Sequence, residues 1–166
     1  SKYYFNKAFK SSDYKYQIVN YTKYLRINPD DSIAYYNRGY AYYSLGKYQL
    51  AIDDYSRAIL INPNYAYAYH NRGIAYDYLG KYKRAINDFS SAIKINPDYA
   101  SAYGNRGLVY KKLGKYKLAL DDYNSTLRIM PNYSNTYICR ANVYEKSGKY
   151  QLAIDDYSRA IEINPN

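Results

Sequence analysis

Prolines stand at positions 29, 63, 97, 131 and 165, each 34 residues after the one before. Gly46, Gly80, Gly114 and Gly148 keep the same period, as do Tyr48, Tyr82, Tyr116 and Tyr150, and Ala51, Ala85, Ala119 and Ala153. Residues 46–64 match 148–166 with a single difference, Leu60 against Glu162. A period this strict means a linear array of supersecondary units, each completed by its neighbours, and not one globular core.

Each unit reads as two helices. In residues 32–65, Tyr35, Gly39 and Tyr42 recur at i, i+4 and i+7 and share one helical face. Gly46 can take the left-handed conformation that ends a helix. A second helix starts near Tyr48, with Ala51, Tyr55, Ala58 and Ile59 as its apolar stripe, and Asn62-Pro63 stops it. The same reading places units at 66–99, 100–133 and 134–166. Residues 1–31 read as a degenerate, partial unit: Tyr14, Ile18, Tyr21 and Pro29 keep register, but Gln17 replaces the alanine and Ser12 the glycine. The expectation is an all-α chain of nine or ten helices.

The motif Tyr35-x2-Arg38-Gly39-x2-Tyr42, followed by Ala51-x3-Tyr55 and Pro63, resembles the tetratricopeptide repeat. It returns with Tyr69, Arg72, Gly73, Tyr76, Ala85, Phe89 and Pro97, and again from Tyr103 to Pro131. In the last copy, Tyr137 to Pro165, Ala141 takes the place of the glycine. Two departures recur: Tyr for the usual Trp, and Arg for the usual Leu. The resemblance implies a right-handed superhelical array of antiparallel helix pairs, a TPR solenoid whose first helices, the A helices, form an inner wall.

The chemistry of catalysis is missing from the pattern. His70 is the lone histidine and Cys139 the lone cysteine, so neither a metal site nor a His-based nucleophile has partners at matching spacing. No phosphate-binding glycine loop occurs. Asp53/Asp54, Asp121/Asp122 and Asp155/Asp156 are neighbours that diverge around a helix. The expectation is a non-catalytic protein without cofactors. Arg38, Arg72, Arg106 and Arg140 repeat together with Asp54, Asp88, Asp122 and Asp156, which reads as a charge pair stapling the two helices of each unit.

The 29 tyrosines, against 3 Phe and no Trp, supply the large rings of the core. The net charge of +10 is spread along the chain, with a modest peak at Lys111, Lys112, Lys115 and Lys117. That favours a protein or peptide partner, acidic if charged, over nucleic acid, which calls for a denser basic stripe. No apolar run is long enough for a membrane span, and the cysteine usage points to a reducing, cytoplasmic setting. Ser1 stands where an initiator Met would, so the chain reads as a fragment.

Function then falls to the A-helix face that the core leaves unused. Asn37, Asn71 and Asn105 recur at one position and offer both donors and acceptors. They resemble the asparagine ladder of the O-linked N-acetylglucosamine transferase family, which implies an extended peptide held by its backbone. Tyr36, Tyr40, Tyr43, Tyr67 and Tyr78 lie outside the repeating tyrosine positions. Together with His70 they are the expected side-chain contacts. A two-carboxylate clamp is disfavoured because Tyr67 and Asn71 stand where Lys and Arg are wanted. The alternatives are a substrate-recruiting segment of a larger enzyme, glycosyltransferase-like, or a self-assembly module. The last helix carries Leu152, Tyr157, Ala160 and Ile161 toward the C-terminal side, where self-association is expected.

Overall fold

The computed structural model describes residues 2–165. It contains ten helices and, among the described residues, no strand: α1 (Lys2–Phe9), α2 (Tyr14–Ile27), α3 (Ser32–Ser44), α4 (Tyr48–Ile61), α5 (Ala66–Tyr78), α6 (Tyr82–Ile95), α7 (Ala100–Lys112), α8 (Tyr116–Ile129), α9 (Ser134–Lys146) and α10 (Tyr150–Ile163). Odd and even helices pair as antiparallel A and B partners, an all-α solenoid architecture. The helices gather into two compact units, residues 1–95 with α1–α6 and residues 96–166 with α7–α10.

Local signals set the helix ends. Asp13 and Asp31 cap α2 and α3, their carboxylates accepting from the second and third backbone N–H groups beyond them. In the four full repeats each A-to-B turn closes on a glycine, whereas the α1–α2 turn has Ser12 at that place. Gly46 has φ +71°, with its N–H on Tyr43 O and the Lys47 N–H on Tyr42 O, the paired bonds of a Schellman ending. A Cβ on Gly46 would touch nothing within 4 Å, so the demand there is on the backbone alone. Gly80, Gly114 and Gly148 repeat this geometry.

Gly39, Gly73 and Gly107 meet a different demand. A Cβ on Gly39 would lie 2.9 Å from Cε1 of Tyr55; on Gly73, 2.8 Å from Cε1 of Phe89; on Gly107, 2.9 Å from Cε1 of Tyr123. The A helix gives up its side chain so that one large ring of the B helix can lie flat against it. Fully buried Ala34, Ala41, Ala51 and Ala58 in the first unit, and Ala102 and Ala119 in the second, allow the same close approach. Burying each such ring contributes roughly 2–3 kcal/mol. In the last repeat Ala141 replaces the glycine, and Tyr157 is only half-buried, its hydroxyl turned to Asn142 and Glu145.

The recurring charges pair as their spacing predicts. Arg38 donates from Nε and Nη2 to both oxygens of Asp54, each at 2.7 Å, and Arg72, Arg106 and Arg140 grip Asp88, Asp122 and Asp156 likewise. Each guanidinium also lies over a tyrosine ring of its own helix, Arg38 at 5.5 Å from Tyr35. Nη1 reaches further back along the chain. It donates to Thr22 Oγ1 from Arg38, to Ser56 Oγ from Arg72 and to Asn124 Oδ1 from Arg140. These arginines therefore join three helices, not the two that the spacing suggests. The aspartates are more buried than a surface staple would be, with only 6–8% of the side chain exposed. Burial pushes the Asp54 and Asp122 carboxyls above their ordinary value even with arginine beside them.

Candidate functional site

In the first unit, the tyrosines outside the repeating positions come together across α3 and α5. Tyr36 lies half-buried against Tyr55 and Tyr65, with ring centroids at 5.7 and 5.0 Å. Its hydroxyl accepts a 2.9 Å hydrogen bond from Nδ2 of Asn71 on the next A helix. Tyr40 is 45% exposed and rests edge-on against Tyr14 of α2. Tyr43 packs against Tyr48 and Tyr78, and Tyr48 and Tyr78 stack at 4.9 Å. Tyr67 and Tyr78 are 57% and 61% exposed. Tyr36 feels both Tyr40 and Tyr67, and Tyr43 feels both Tyr40 and Tyr78. The five tyrosines thus lie near one another on α3 and α5, with Tyr43 and Tyr78 in ring contact.

Burial dominates the chemistry of these phenols. It raises Tyr36, Tyr43 and Tyr55 above the usual tyrosine value and takes Tyr21 and Tyr65 up to about 12. All stay neutral at ordinary pH and act only as hydrogen-bonding hydroxyls on apolar rings. The hydroxyl of Tyr55 is buried without a hydrogen bond of good geometry; Asn71 lies beside it but donates to Tyr36 instead.

The asparagines have partners within the protein as well as outward capacity. Asn71 bonds Tyr36 across the repeat junction, and its Oδ1 lies 3.2 Å from Nδ1 of His70. Asn37 sits beside the Tyr21 hydroxyl, where it tempers the rise caused by burial. Asn105, in the second unit, is half-buried. His70 is only 7% exposed and leans on Phe89 at 5.7 Å, so most of its ring is covered within the protein. Tyr14 and Tyr48 keep the repeat period, and they brace Tyr40, Tyr43 and Tyr78 directly.

Charge is nearly absent from this face. The only Lys, Arg, Asp or Glu residues on α3 and α5 are Arg38, Arg72 and Asp77, and both arginines are held by carboxylates. In the second unit, α9 and α10 border an open hollow of about 510 Å³ whose apolar part is lined by Ile138, Tyr157, Ala160 and Ile161, with Ser134, Asn135 and Asn164 beside them. Among the described residues no group of three or more His, Cys, Asp and Glu could hold a metal ion, and no helix is long and apolar enough to cross a membrane.

Family models described as tetratricopeptide repeat match residues 32–65, 100–133 and 134–166, and a further such model matches 55–87. A model described as TPR repeat matches residues 78–114. No curated protein matches the chain in sequence. Among solved structures, a crystal structure of MamA superposes with TM-score 0.88 at 27% identity, over 92% of this chain and 90% of that one. MamA 41-end from Desulfovibrio magneticus RS-1 gives TM-score 0.92 at 18% identity, over 99% and 94%. YrrB, described as a TPR protein with an unusual peptide-binding site, gives 0.82 at 20% identity, over 98% and 86%.

Proposed function

The chain belongs to the tetratricopeptide repeat family, and from that premise we propose that residues 1–95 hold an extended segment of a partner protein on the face of α3 and α5. The fold is that of a protein-interaction scaffold. The observation that carries the finer reading is the grouping of Tyr36, Tyr40, Tyr43, Tyr67 and Tyr78, none of them at a repeating scaffold position. Aromatic rings that are half-exposed and already braced by neighbours lose little entropy on binding and make good anchors. Asn37 and Asn71 lie beside them with amides able to meet a peptide backbone, and Asn105 offers the same group in the second unit.

Because Asn71 also bonds Tyr36, truncating it would disturb the fold and binding together. The exposed rings are the cleaner test. Peptides selected from a random display library on the intact chain should crosslink to α3 and α5. Tyr40→Ser with Tyr67→Ser should weaken them about tenfold or more, roughly 1.4 kcal/mol, with helicity by circular dichroism unchanged. Unaltered affinity in that double variant would remove the face from consideration.

A further inference from the structure

We infer that the segment held on α3 and α5 is uncharged and proline-rich, in the polyproline II conformation; this rests on the binding face proposed above. Charge narrows the choice first. Arg38 and Arg72 are each gripped by two carboxylate oxygens, and Asp77 is the remaining carboxylate or basic group on these two helices. An acidic segment would find no available cation here for a charge-assisted bond. The net charge of +10 sits elsewhere, at residues such as Lys47, Lys81, Lys83 and Arg84 around the A-to-B turns, and a basic segment would find Asp77 as the one carboxylate on these two helices. The acidic partner suggested by total charge therefore gives way to an uncharged one.

The rings select among uncharged segments. Tyr78 is stacked on Tyr48 and meets Tyr43 edge-on, and Tyr40 is braced by Tyr14. These are flat surfaces fixed in place, the kind of aromatic lining that holds pyrrolidine rings. Tyr36 and Tyr43 are two helical turns apart, about 10.5 Å along the axis. One turn of polyproline II covers about 9.3 Å, near that separation, so residues one turn apart on a segment lying along α3 reach Tyr36 and Tyr43.

Hydrogen bonding points the same way. A polyproline II segment has no internal hydrogen bonds and proline has no N–H, so its backbone presents acceptors and asks only for donors. Tyrosine hydroxyls and asparagine amides supply them. The segment is also stiff before it binds, which lowers the ordering cost on a shallow face.

A fluorescein-labelled decaproline peptide, titrated onto the intact chain by anisotropy, tests this. Decaproline should bind about tenfold or more tighter than a Gly-Ser peptide or a Glu-rich peptide of the same length. Its affinity should change less than about twofold between roughly 50 and 500 mM NaCl. Tyr40→Phe, which keeps the ring and removes one hydroxyl donor, should cost no more than about threefold, and Tyr40→Ser with Tyr78→Ser should lose about tenfold, at equal helicity. A preference for the Glu-rich peptide, or decaproline binding indifferent to the double serine change, overturns the inference. Library-selected peptides that crosslink to α3 and α5 but lack proline overturn it while leaving the binding face intact. Peptides that crosslink elsewhere overturn both.

Discussion

Helices α3 and α7 hold the same place in the repeat and share its framework, yet present different faces. Both carry a glycine under a B-helix ring, Gly39 beneath Tyr55 and Gly107 beneath Tyr123, and both carry the arginine that grips an aspartate, Asp54 or Asp122. Where α3 has Tyr36, Tyr40 and Tyr43, α7 has Gly104, Leu108 and Lys111. Packing does not force that difference. A Cβ on Gly104 would meet nothing closer than Thr126 Oγ1 at 3.6 Å, ordinary contact, so the site could hold a side chain and lacks one. The glycine, the ring over it and the ion pair are constant between the two units, and the positions of Tyr36, Tyr40 and Tyr43 diverge.

The largest expected contrast between the units is alkaline. Burial holds Tyr21 and Tyr65 up to about 12 and raises Tyr36, Tyr43 and Tyr55, all in the first unit; in the second, Tyr123 is the deeply buried counterpart. An unfolded phenol ionises near 10. The unfolded chain therefore loses protons that the folded chain keeps, and the stability from these groups is complete below about pH 10 and lost as pH climbs through about 12. Limited proteolysis across this range should cut residues 1–95 at lower pH than residues 96–166, in step with tyrosinate absorbance. Simultaneous cleavage of both units would mean that they melt together and that the contrast in buried phenols does not matter.

A smaller effect should be the same in both units. Asp54→Ala and Asp122→Ala each leave a largely buried guanidinium without its carboxylate and should each cost about 3 kcal/mol in urea unfolding. A cost confined to one of them would show that the framework is not shared. The smallest change sharpens the comparison at a single helix. Gly104→Ala should gain roughly 0.5–1 kcal/mol by stiffening the unfolded chain. Gly107→Ala, one turn along on α7, should lose about 1–3 kcal/mol because its methyl meets the Tyr123 ring. Thermal melts of the two variants moving in the same direction would refute the distinction between these two glycines.

Much of the framework could be read from the sequence because it repeats. The turn glycines announce a backbone requirement, Pro63 and its equivalents end helices by their own geometry, and the spacing of Arg38 to Asp54 gives the ion pair. The candidate site was only partly legible. Tyr36 and Tyr40 stand out because they break the period, but Tyr14 and Tyr48 keep it and read as framework, although they brace the same patch. The bond from Asn71 to Tyr36 spans 35 residues and joins a periodic position to an aperiodic one, so no spacing rule points to it. His70 is an aperiodic residue expected to contact a partner; its low exposure and its contact with Phe89 carry no signal in its own helix. The third arm of Arg38, Arg72 and Arg140 has no sequence signal because its acceptor changes chemically from Thr22 to Ser56 to Asn124.

That third arm gives the array a direction. Arg38, Arg72 and Arg140 each sit midway between an acceptor 16 residues earlier and a carboxylate 16 residues later. As the chain leaves the ribosome, each arginine emerges to find its hydroxyl or amide already made and its aspartate still unsynthesised. In these three repeats each arginine is therefore a latch with one half set by the helix before it, and it closes only as the following helix arrives.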